Sequence, residues 1–280
     1  MRETGMNTKR STGLPRWSSI LAFFLVALPL YIPVALFARM QLAPNVSLFN
    51  LATFVPALSA LILVYKKNKG AGVKALLRRS YDYRQIKLKI WYLPVFFLYP
   101  VIVFVQYGLA ILSGSEVSSP HFSFATPIVL VALFIAALGE ELGWTGYLFD
   151  PMEARFGTLN AAILMGLIWA AFHIPLFAPS APSLSWIAWQ LTYIAATRVL
   201  FIWVYSNTGR SVFAVAATHA TFNLGWQFFP ATGGLLVPSF YDPRSLAITT
   251  LSLVAAVLFL WGPTLVRYRY AKVRRSADGM

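Results

Sequence analysis

Long apolar stretches, separated by short polar or basic segments, dominate the pattern of this chain. Eight of them approach the length of about 20 residues that a helix needs to cross a bilayer core of ~30 Å. They run approximately over residues 20–38, 48–65, 90–112, 127–149, 159–177, 186–205, 211–228 and 246–266. The pattern predicts an all-α polytopic membrane protein, a bundle of about eight transmembrane helices.

Composition excludes the ordinary soluble classes. Of the 280 residues, 58% are apolar and only 11% are charged, whereas soluble domains have roughly 25% charged residues. An intrinsically disordered chain is excluded for the same reason, because 16% of the residues are aromatic and need burial. The chain contains no cysteine, so disulfides, thiolate metal sites and a catalytic thiol are excluded as well.

The basic residues predict the orientation of the chain in the cell membrane. With eight spans both termini lie on one side, together with the four basic residues of the N-terminal tail and the five of the C-terminal tail. The same side holds the nine basic residues of segment 66–89, as well as Arg155 and Arg210, whereas the other side holds Arg39 and Arg244. Basic residues concentrate in cytoplasmic loops, so we expect both termini to be cytoplasmic.

One integral membrane domain over residues 1–280 is the simplest organisation. It divides into a cytoplasmic tail 1–16, a basic cytoplasmic loop 66–89, a motif-bearing core 127–228 and a cytoplasmic tail 267–280. The basic loop is expected to form a short helix on the lipid headgroups or a solvated loop, and the residues leave both open. The net charge of +14 fringes the apolar stretches, so we expect lipid, and not nucleic acid, as its partner. The oligomeric state stays open.

A few ionisable or strongly polar side chains interrupt the predicted spans. They are Glu140 and Glu141 in the fourth span, His173 in the fifth, Arg198 in the sixth, and His219 and Asn223 in the seventh. A charged group at the bilayer centre costs at least ~2.5–3.5 kcal/mol when unpaired, so such groups indicate function or pairing. Adjacent helical residues point ~100° apart, so one of the two glutamates is expected to reach the site while the other supports it. His219 and Asn223, four residues apart, share a face.

A carboxylate, two imidazoles and an amide from three helices suit two kinds of hydrolysis. They could bind a divalent metal, most simply zinc, with Glu140, His173, His219 and Asn223 as the candidate ligands and with an activated water. Without a metal, the carboxylate would take a proton from water while His and Asn stabilise the oxyanion of a tetrahedral intermediate. The residues alone do not choose between the two.

Three short motifs resemble those of a known family, the CPBP intramembrane proteases. The string GEELGWTGYL at 139–148 resembles the first motif, E-E-x-x-x-R. The string WAAFH at 169–173 resembles the second, an aromatic residue followed after three others by His, and HATFN at 219–223 matches the third, H-x-x-x-N. The motifs stand in family order on separate predicted spans. The family includes CAAX prenyl endopeptidases and bacteriocin-processing or immunity-associated membrane proteins.

The resemblance implies a role for each matching residue. Glu140 would activate water, with His173 as its partner or as a metal ligand. His219 and Asn223 would be metal ligands or oxyanion stabilisers, and Glu141 would be the supporting carboxylate. The implied activity is hydrolysis of a peptide bond in a membrane-associated or lipidated peptide.

The chain departs from the family at one position of the first motif, where Thr145 stands in place of Arg. Thr145 follows Glu141 by four residues, so the i to i+4 ion pair of that motif is missing. Glu141 is then either protonated and neutral, or paired with Arg198 of the sixth span. Loss of activity is a third alternative. Besides these residues, Trp169 of the second motif is expected to support the site.

The sequence therefore predicts an intramembrane endopeptidase, and most simply a membrane-embedded metalloendopeptidase whose water is bound by a metal and activated by Glu and His. Two other interpretations stay open. One is a catalytically inactive member that serves as an immunity or scaffold protein, which the substitution at Thr145 would explain. The other is a proton-coupled secondary transporter that uses Glu140, Glu141 and Arg198 as its relay.

Overall fold

The fold is built from helices, as the apolar pattern predicts. The structure, a computed structural model, describes residues 16–38, 40–43, 46–230 and 237–266; the predicted tails therefore lie outside the described residues, apart from Arg16. In chain order, the described elements are α1 (Arg16–Leu36), β1 (Gln41–Ala43), β2 (Val46–Ser47), α2 (Val55–Arg78), α3 (Tyr92–Leu112), α4 (Thr126–Gly143), α5 (Phe149–Phe156), α6 (Thr158–Phe177), α7 (Leu184–Asn207), α8 (Val212–Gln227) and α9 (Pro243–Trp261). β1 and β2 form a small antiparallel pair, and a 3-10 segment, Leu48–Phe54, leads into α2.

The predicted membrane bundle is confirmed. α4 continues through a π-helical turn, Trp144–Leu148, into α5, so the helices of the described residues form eight segments. Seven of these segments are long and apolar enough to cross a membrane. Large apolar side chains on the outer helices are exposed, among them Leu25, Leu112 and Phe259. Such a surface requires lipid as its solvent, and the protein is a multi-pass membrane protein.

The seventh predicted span, 211–228, needs a correction. α8 is a helix there, but its 16 residues rise only about 24 Å and do not reach across a bilayer core of about 30 Å. α8 packs against α3 and α4, and most of its side chains are buried. Because its N-terminal end, at Ser211 and Val212, is buried within protein, the helix can be shorter than the membrane is thick.

The basic loop anchors the start of α8. The carboxylate of Asp82 accepts hydrogen bonds from the backbone N–H groups of Val212 (3.2 Å) and Phe213 (3.0 Å), and from the hydroxyl of Ser211 (2.6 Å). An acidic group at a helix N-terminus satisfies free N–H donors and complements the helix dipole. α2 continues to Arg78, with a break at Lys69, where φ is 52°. The segment predicted as a headgroup helix or a solvated loop is thus helical in its first half and contacts the bundle in its second.

Two glycines bring α4 close to the 3-10 segment and the start of α2. A Cβ atom on Gly139 would lie 2.7 Å from the carbonyl O of Thr53 and 2.7 Å from the ring of Phe54. On Gly143 it would lie 2.2 Å from the carbonyl C of Pro56. Small residues four apart allow helices in membranes to approach closely. This approach places Thr53 beside Glu140.

We expect Gly139→Ala to destabilise the protein by about 1–3 kcal/mol, because the added methyl group forces the 3-10 segment away from α4. The measurement is unfolding in detergent micelles. Gly108→Ala in α3 is the matched control, because no atom lies within 4 Å of the position that its Cβ would take. Equal stability of the two variants would contradict the close approach.

Candidate active site

A cavity of about 440 Å³ lies between α1, the 3-10 segment, α4, α6 and α8. Its polar wall residues are Tyr31, Ser47, Asn50, Thr53, Glu140, His173 and Asn223. Aromatic side chains line it as well, namely Phe49, Phe54, Trp144, Trp169 and Phe172. Three candidate residues that stand on three different predicted spans, Glu140, His173 and Asn223, therefore meet at one cavity.

Two uncharged donors hold the carboxylate of Glu140. The indole Nε1–H of Trp169 donates to Oε2 at 2.6 Å, and the hydroxyl of Thr53 lies 3.2 Å from Oε1. The same hydroxyl lies 3.0 Å from the carbonyl O of Ala136. An ionised carboxylate has about four lone-pair positions, so Glu140 can still accept a proton or a hydrogen bond from water in the cavity.

The imidazole of His173 is fixed in one tautomer by its own helix. Its Nδ1 lies 2.7 Å from the carbonyl O of Trp169, one turn earlier in α6. Because a carbonyl oxygen only accepts, Nδ1 carries the proton and Nε2 keeps a free lone pair. His173 can therefore accept a proton through Nε2.

A second polar cluster lies behind this cavity, around the fully buried side chain of Glu141. Nη1 of Arg198 donates to its two oxygens at 2.9 and 2.8 Å, and the hydroxyl of Thr145 donates to Oε2. Nδ1 of His219 lies 3.0 Å from Oε1. The side chains of Arg198 and Glu141 are both 0% exposed. Breaking a buried pair of this kind typically costs about 3–5 kcal/mol.

The cluster answers the question raised by Thr145. Of the alternatives for Glu141, the structure shows the pair with Arg198, so the premise of a neutral Glu141, a carboxylate without a charge partner, does not hold. The guanidinium comes from α7, and Thr145 itself contributes a hydrogen bond. The two glutamates diverge as adjacent helical residues must: Glu140 reaches the cavity, and Glu141 is buried behind it.

His219 and Asn223 share a helix face but have different surroundings. Asn223 lines the cavity, whereas His219 is 2% exposed and packs against the rings of Trp169 and Phe201. In the neutral imidazole of His219, Nδ1 donates to the carboxylate of Glu141 and Nε2 keeps its lone pair.

Trp169 connects the two clusters. Its indole N–H bonds Glu140, its ring contacts both histidines at centroid distances of 4.9 Å (His173) and 5.4 Å (His219), and the guanidinium carbon of Arg198 lies 4.1 Å from its ring centroid. The aromatic residue of the second motif is therefore in contact with the cavity and with the buried cluster at once.

Four polar cavity residues were missed by the sequence analysis: Tyr31, Ser47, Asn50 and Thr53. Thr53 holds Glu140, and the hydroxyl of Tyr31 donates to the carbonyl O of Phe172 at 2.5 Å. Both lie in spans without motifs, where a single hydroxyl is an ordinary residue. Pro29 and Pro33 flank Tyr31 in α1 and are the one local signal near it.

The π-helical turn follows the first motif directly. π-turns inside α-helices are rare and are frequent at functional sites. The carbonyl O of Gly146, within this turn, accepts a hydrogen bond from Nη1 of Arg79 at 2.7 Å. The turn redirects the chain, with Trp144 at the cavity and Thr145 at Glu141.

The candidate ligands fit the predicted metal site only in part. Both histidines bond an acceptor through Nδ1, as metal-binding histidines usually do. However, no three His, Asp or Glu side chains of the described residues come together at metal-ligand spacing. Glu140, His173 and His219 therefore do not form such a three-residue group, and zinc binding with Asn223 as a fourth ligand stays a prediction.

Comparison with known proteins finds one family model, which matches part of the chain, and relatives that cover most of it. Residues 122–225, which contain all three motifs, match the family described as type II CAAX prenyl endopeptidase Rce1-like. The chain is 28% identical over 221 residues to CAAX prenyl protease 2 of Methanococcus maripaludis, which covers 74% of this chain and 78% of that protein. It is 23% identical over 283 residues to lysostaphin resistance protein A of Staphylococcus aureus. That match covers 98% of this chain but only 63% of the relative's length.

Proposed function

Because the chain is a member of the Rce1-like, or CPBP, family of membrane proteins, we propose that it is an intramembrane endopeptidase. The observation that carries the proposal is the meeting of Glu140, His173 and Asn223, from α4, α6 and α8, at one cavity. Polar side chains are costly within a membrane bundle, and a cavity that admits water gives these three a chemical use.

The proposed reaction is general-base hydrolysis. Glu140 takes a proton from a water molecule while the water oxygen attacks the carbonyl carbon of the scissile peptide bond. The amide N–H of Asn223 donates a hydrogen bond to the resulting oxyanion. Collapse of this intermediate breaks the C–N bond, and the protonated Glu140 returns its proton to the leaving amine. The Nε2 lone pair of His173 accepts the second proton of the water as the new carboxyl group ionises.

Thr53 and Trp169 have supporting roles in this proposal. Their hydrogen bonds hold the two oxygens of Glu140, so the carboxylate keeps one orientation toward the cavity. His219 supports the site through Glu141. The four-ligand metal site is the alternative, and a bound divalent ion would supply Lewis-acid activation of water and of the peptide carbonyl.

The proposed substrate is a membrane-associated or lipidated peptide. The cavity is lined by apolar and aromatic side chains besides its polar groups, including Phe49, Leu133 and Leu176. Such a wall suits an extended peptide with apolar side chains or a prenyl group. The names of the matched family and of the archaeal relative give the same substrate class, a CAAX prenyl peptide.

We expect Glu140→Gln to lower kcat by about 10²–10⁴-fold, since the amide cannot take the proton from water. His173→Ala should lower it by a similar factor. The measurement is cleavage of a fluorescence-quenched prenylated CAAX peptide by the purified protein in detergent.

His121→Ala is the matched control for these variants, because His121 is exposed in the loop before α4. Unchanged cleavage by Glu140→Gln would contradict the mechanism. A wild type that binds the peptide without cleaving it would favour the scaffold interpretation, and uncoupler-sensitive transport without cleavage would favour the transporter.

Metal dependence has a separate test. The metal-free mechanism requires that the purified wild type keep its cleavage rate after dialysis against a chelator and contain less than about half an equivalent of zinc, whereas the predicted zinc site requires the opposite results. Elemental analysis and the peptide assay are the measurements. Loss of cleavage on chelation, reversed by added zinc, would instead establish the metal-bound water.

The orientation with cytoplasmic termini is also a proposal, and the absence of cysteine makes it easy to test. In intact cells a membrane-impermeant maleimide should label Glu116→Cys, in the loop after α3, but not Lys67→Cys in the basic loop. Both positions are exposed in the structure, so both should react once the membrane is permeabilised. The reverse pattern would invert the proposed topology.

A further inference from the structure

Arg198 is a buried cation in the middle of α7. It lies 14 residues after Leu184, where the helix begins, and its side chain is 0% exposed. A guanidinium at such a position requires partners, because the interior of a membrane bundle does not solvate charge. The groups that contact the guanidinium therefore indicate the role of Arg198.

The guanidinium of Arg198 contacts one carboxylate and two aromatic rings. Nη1 alone reaches both oxygens of Glu141. The guanidinium carbon lies over the ring of Trp169, 4.1 Å from its centroid, and over the ring of Phe201, 5.2 Å from its centroid. Among the described residues, Nε and Nη2 have no hydrogen-bond partner. The orientation of the side chain thus depends on one carboxylate and two aromatic rings, of which that of Trp169 is the nearer.

Each of these contacts leads to a residue of the proposed chemistry. Glu141 holds Nδ1 of His219 at 3.0 Å. Trp169 donates its indole N–H to Glu140 at 2.6 Å. Arg198 is therefore two contacts away from the proposed base without lining the cavity itself.

We propose that Arg198 is a positioning residue that sets the orientation of Trp169, and through it that of Glu140, while it holds Glu141 and His219 in place. The catalytic part of this inference rests on the proposed function. A guanidinium can contact an indole ring and bond a carboxylate at the same time, because it is planar and carries several N–H donors. The ammonium of lysine keeps the charge but lacks the flat surface.

A double-mutant cycle in kcat tests the connection. We expect Arg198→Lys to lower kcat at least about tenfold with KM changed less than about twofold, because the pair with Glu141 survives but the carboxylate of Glu140 is misplaced. Trp169→Phe should lower kcat as well, since it removes the indole N–H. If Arg198 acts through Trp169, the double variant should be no slower than the slower single variant.

Arg210→Lys is the matched control for the cycle. Arg210 also forms ion pairs, with Asp150 and Glu153, but it lies in the loop between α7 and α8, away from the cavity. We expect its kcat to stay within about twofold of wild type, and its effect to multiply with that of Trp169→Phe. Multiplication of the Arg198→Lys and Trp169→Phe effects would overturn the inference and leave the proposed hydrolysis intact.

A second readout needs no turnover, so it separates this inference from the proposed function. The indole N–H of Trp169 gives one of nine tryptophan signals in a protein labelled with ¹⁵N at the indole nitrogen, and its absence in Trp169→Phe identifies it. We expect Arg198→Lys to shift this signal and Arg210→Lys to leave it in place. An unshifted signal in Arg198→Lys would overturn the inference even if wild type cleaves no peptide.

Should Arg198→Lys fail to fold, the double variant Thr145→Arg/Arg198→Leu provides the same test. It returns a guanidinium to the neighbourhood of Glu141 from α4, where Thr145 now donates its hydroxyl, and leaves Trp169 without the cation over its face. We expect a shifted Trp169 signal and a lowered kcat in this variant. A wild-type signal and a wild-type kcat would show that Glu141 needs a charge partner but that Trp169 does not need Arg198.

Discussion

The ion pair of Glu141 and Arg198 is the interaction on which the rest of the polar interior depends. In a bundle surrounded by lipid, a carboxylate and a guanidinium at 0% exposure are tolerable only together. Their union joins α4 to α7, and the hydrogen bond to His219 adds α8. The buried ion pair and its hydrogen bond to His219 thus hold three helices together behind the cavity. Glu140, in the cavity wall, needs no charged partner for this purpose, and its hydrogen-bond donors are uncharged.

Close backbone approach is the second condition for the site. Gly139 and Gly143 flank the two glutamates of the first motif, and the face without side chains receives Thr53 and Pro56. The same five residues of α4 thus supply the proposed base, the buried acid and the groove that brings a hydrogen-bond donor to the base. A larger residue at either glycine would force the segment with Thr53 and Pro56 away from α4, since the Cβ atom would meet backbone atoms at both positions.

The helices and the polar residues that matter could be predicted from the sequence, because apolar runs of about 20 residues and rare charges within them are strong signals in lipid. The divergence of Glu140 and Glu141 follows from helix geometry. The features that the sequence did not predict depend on contacts between residues that are distant along the chain. His219 lies behind the rings of Trp169 and Phe201, which periodicity along α8 does not reveal. The carboxylate that caps the start of α8 comes from Asp82, which is distant in sequence, and Thr53 and Tyr31 carry ordinary hydroxyls in spans without motifs.

The hydrogen bonds of Asp82 to the start of α8 also fix the depth of Asn223 below the basic loop. From Val212, whose N–H bonds Asp82, to Asn223 is 11 residues, a rise of about 16 Å along α8. The number of residues in one capped helix therefore fixes the distance between the basic loop and the amide of Asn223. This distance does not depend on the thickness of the bilayer. In a thicker or thinner membrane the outer helices can tilt to match the lipid, while the level of the Asn223 amide stays constant relative to the loop.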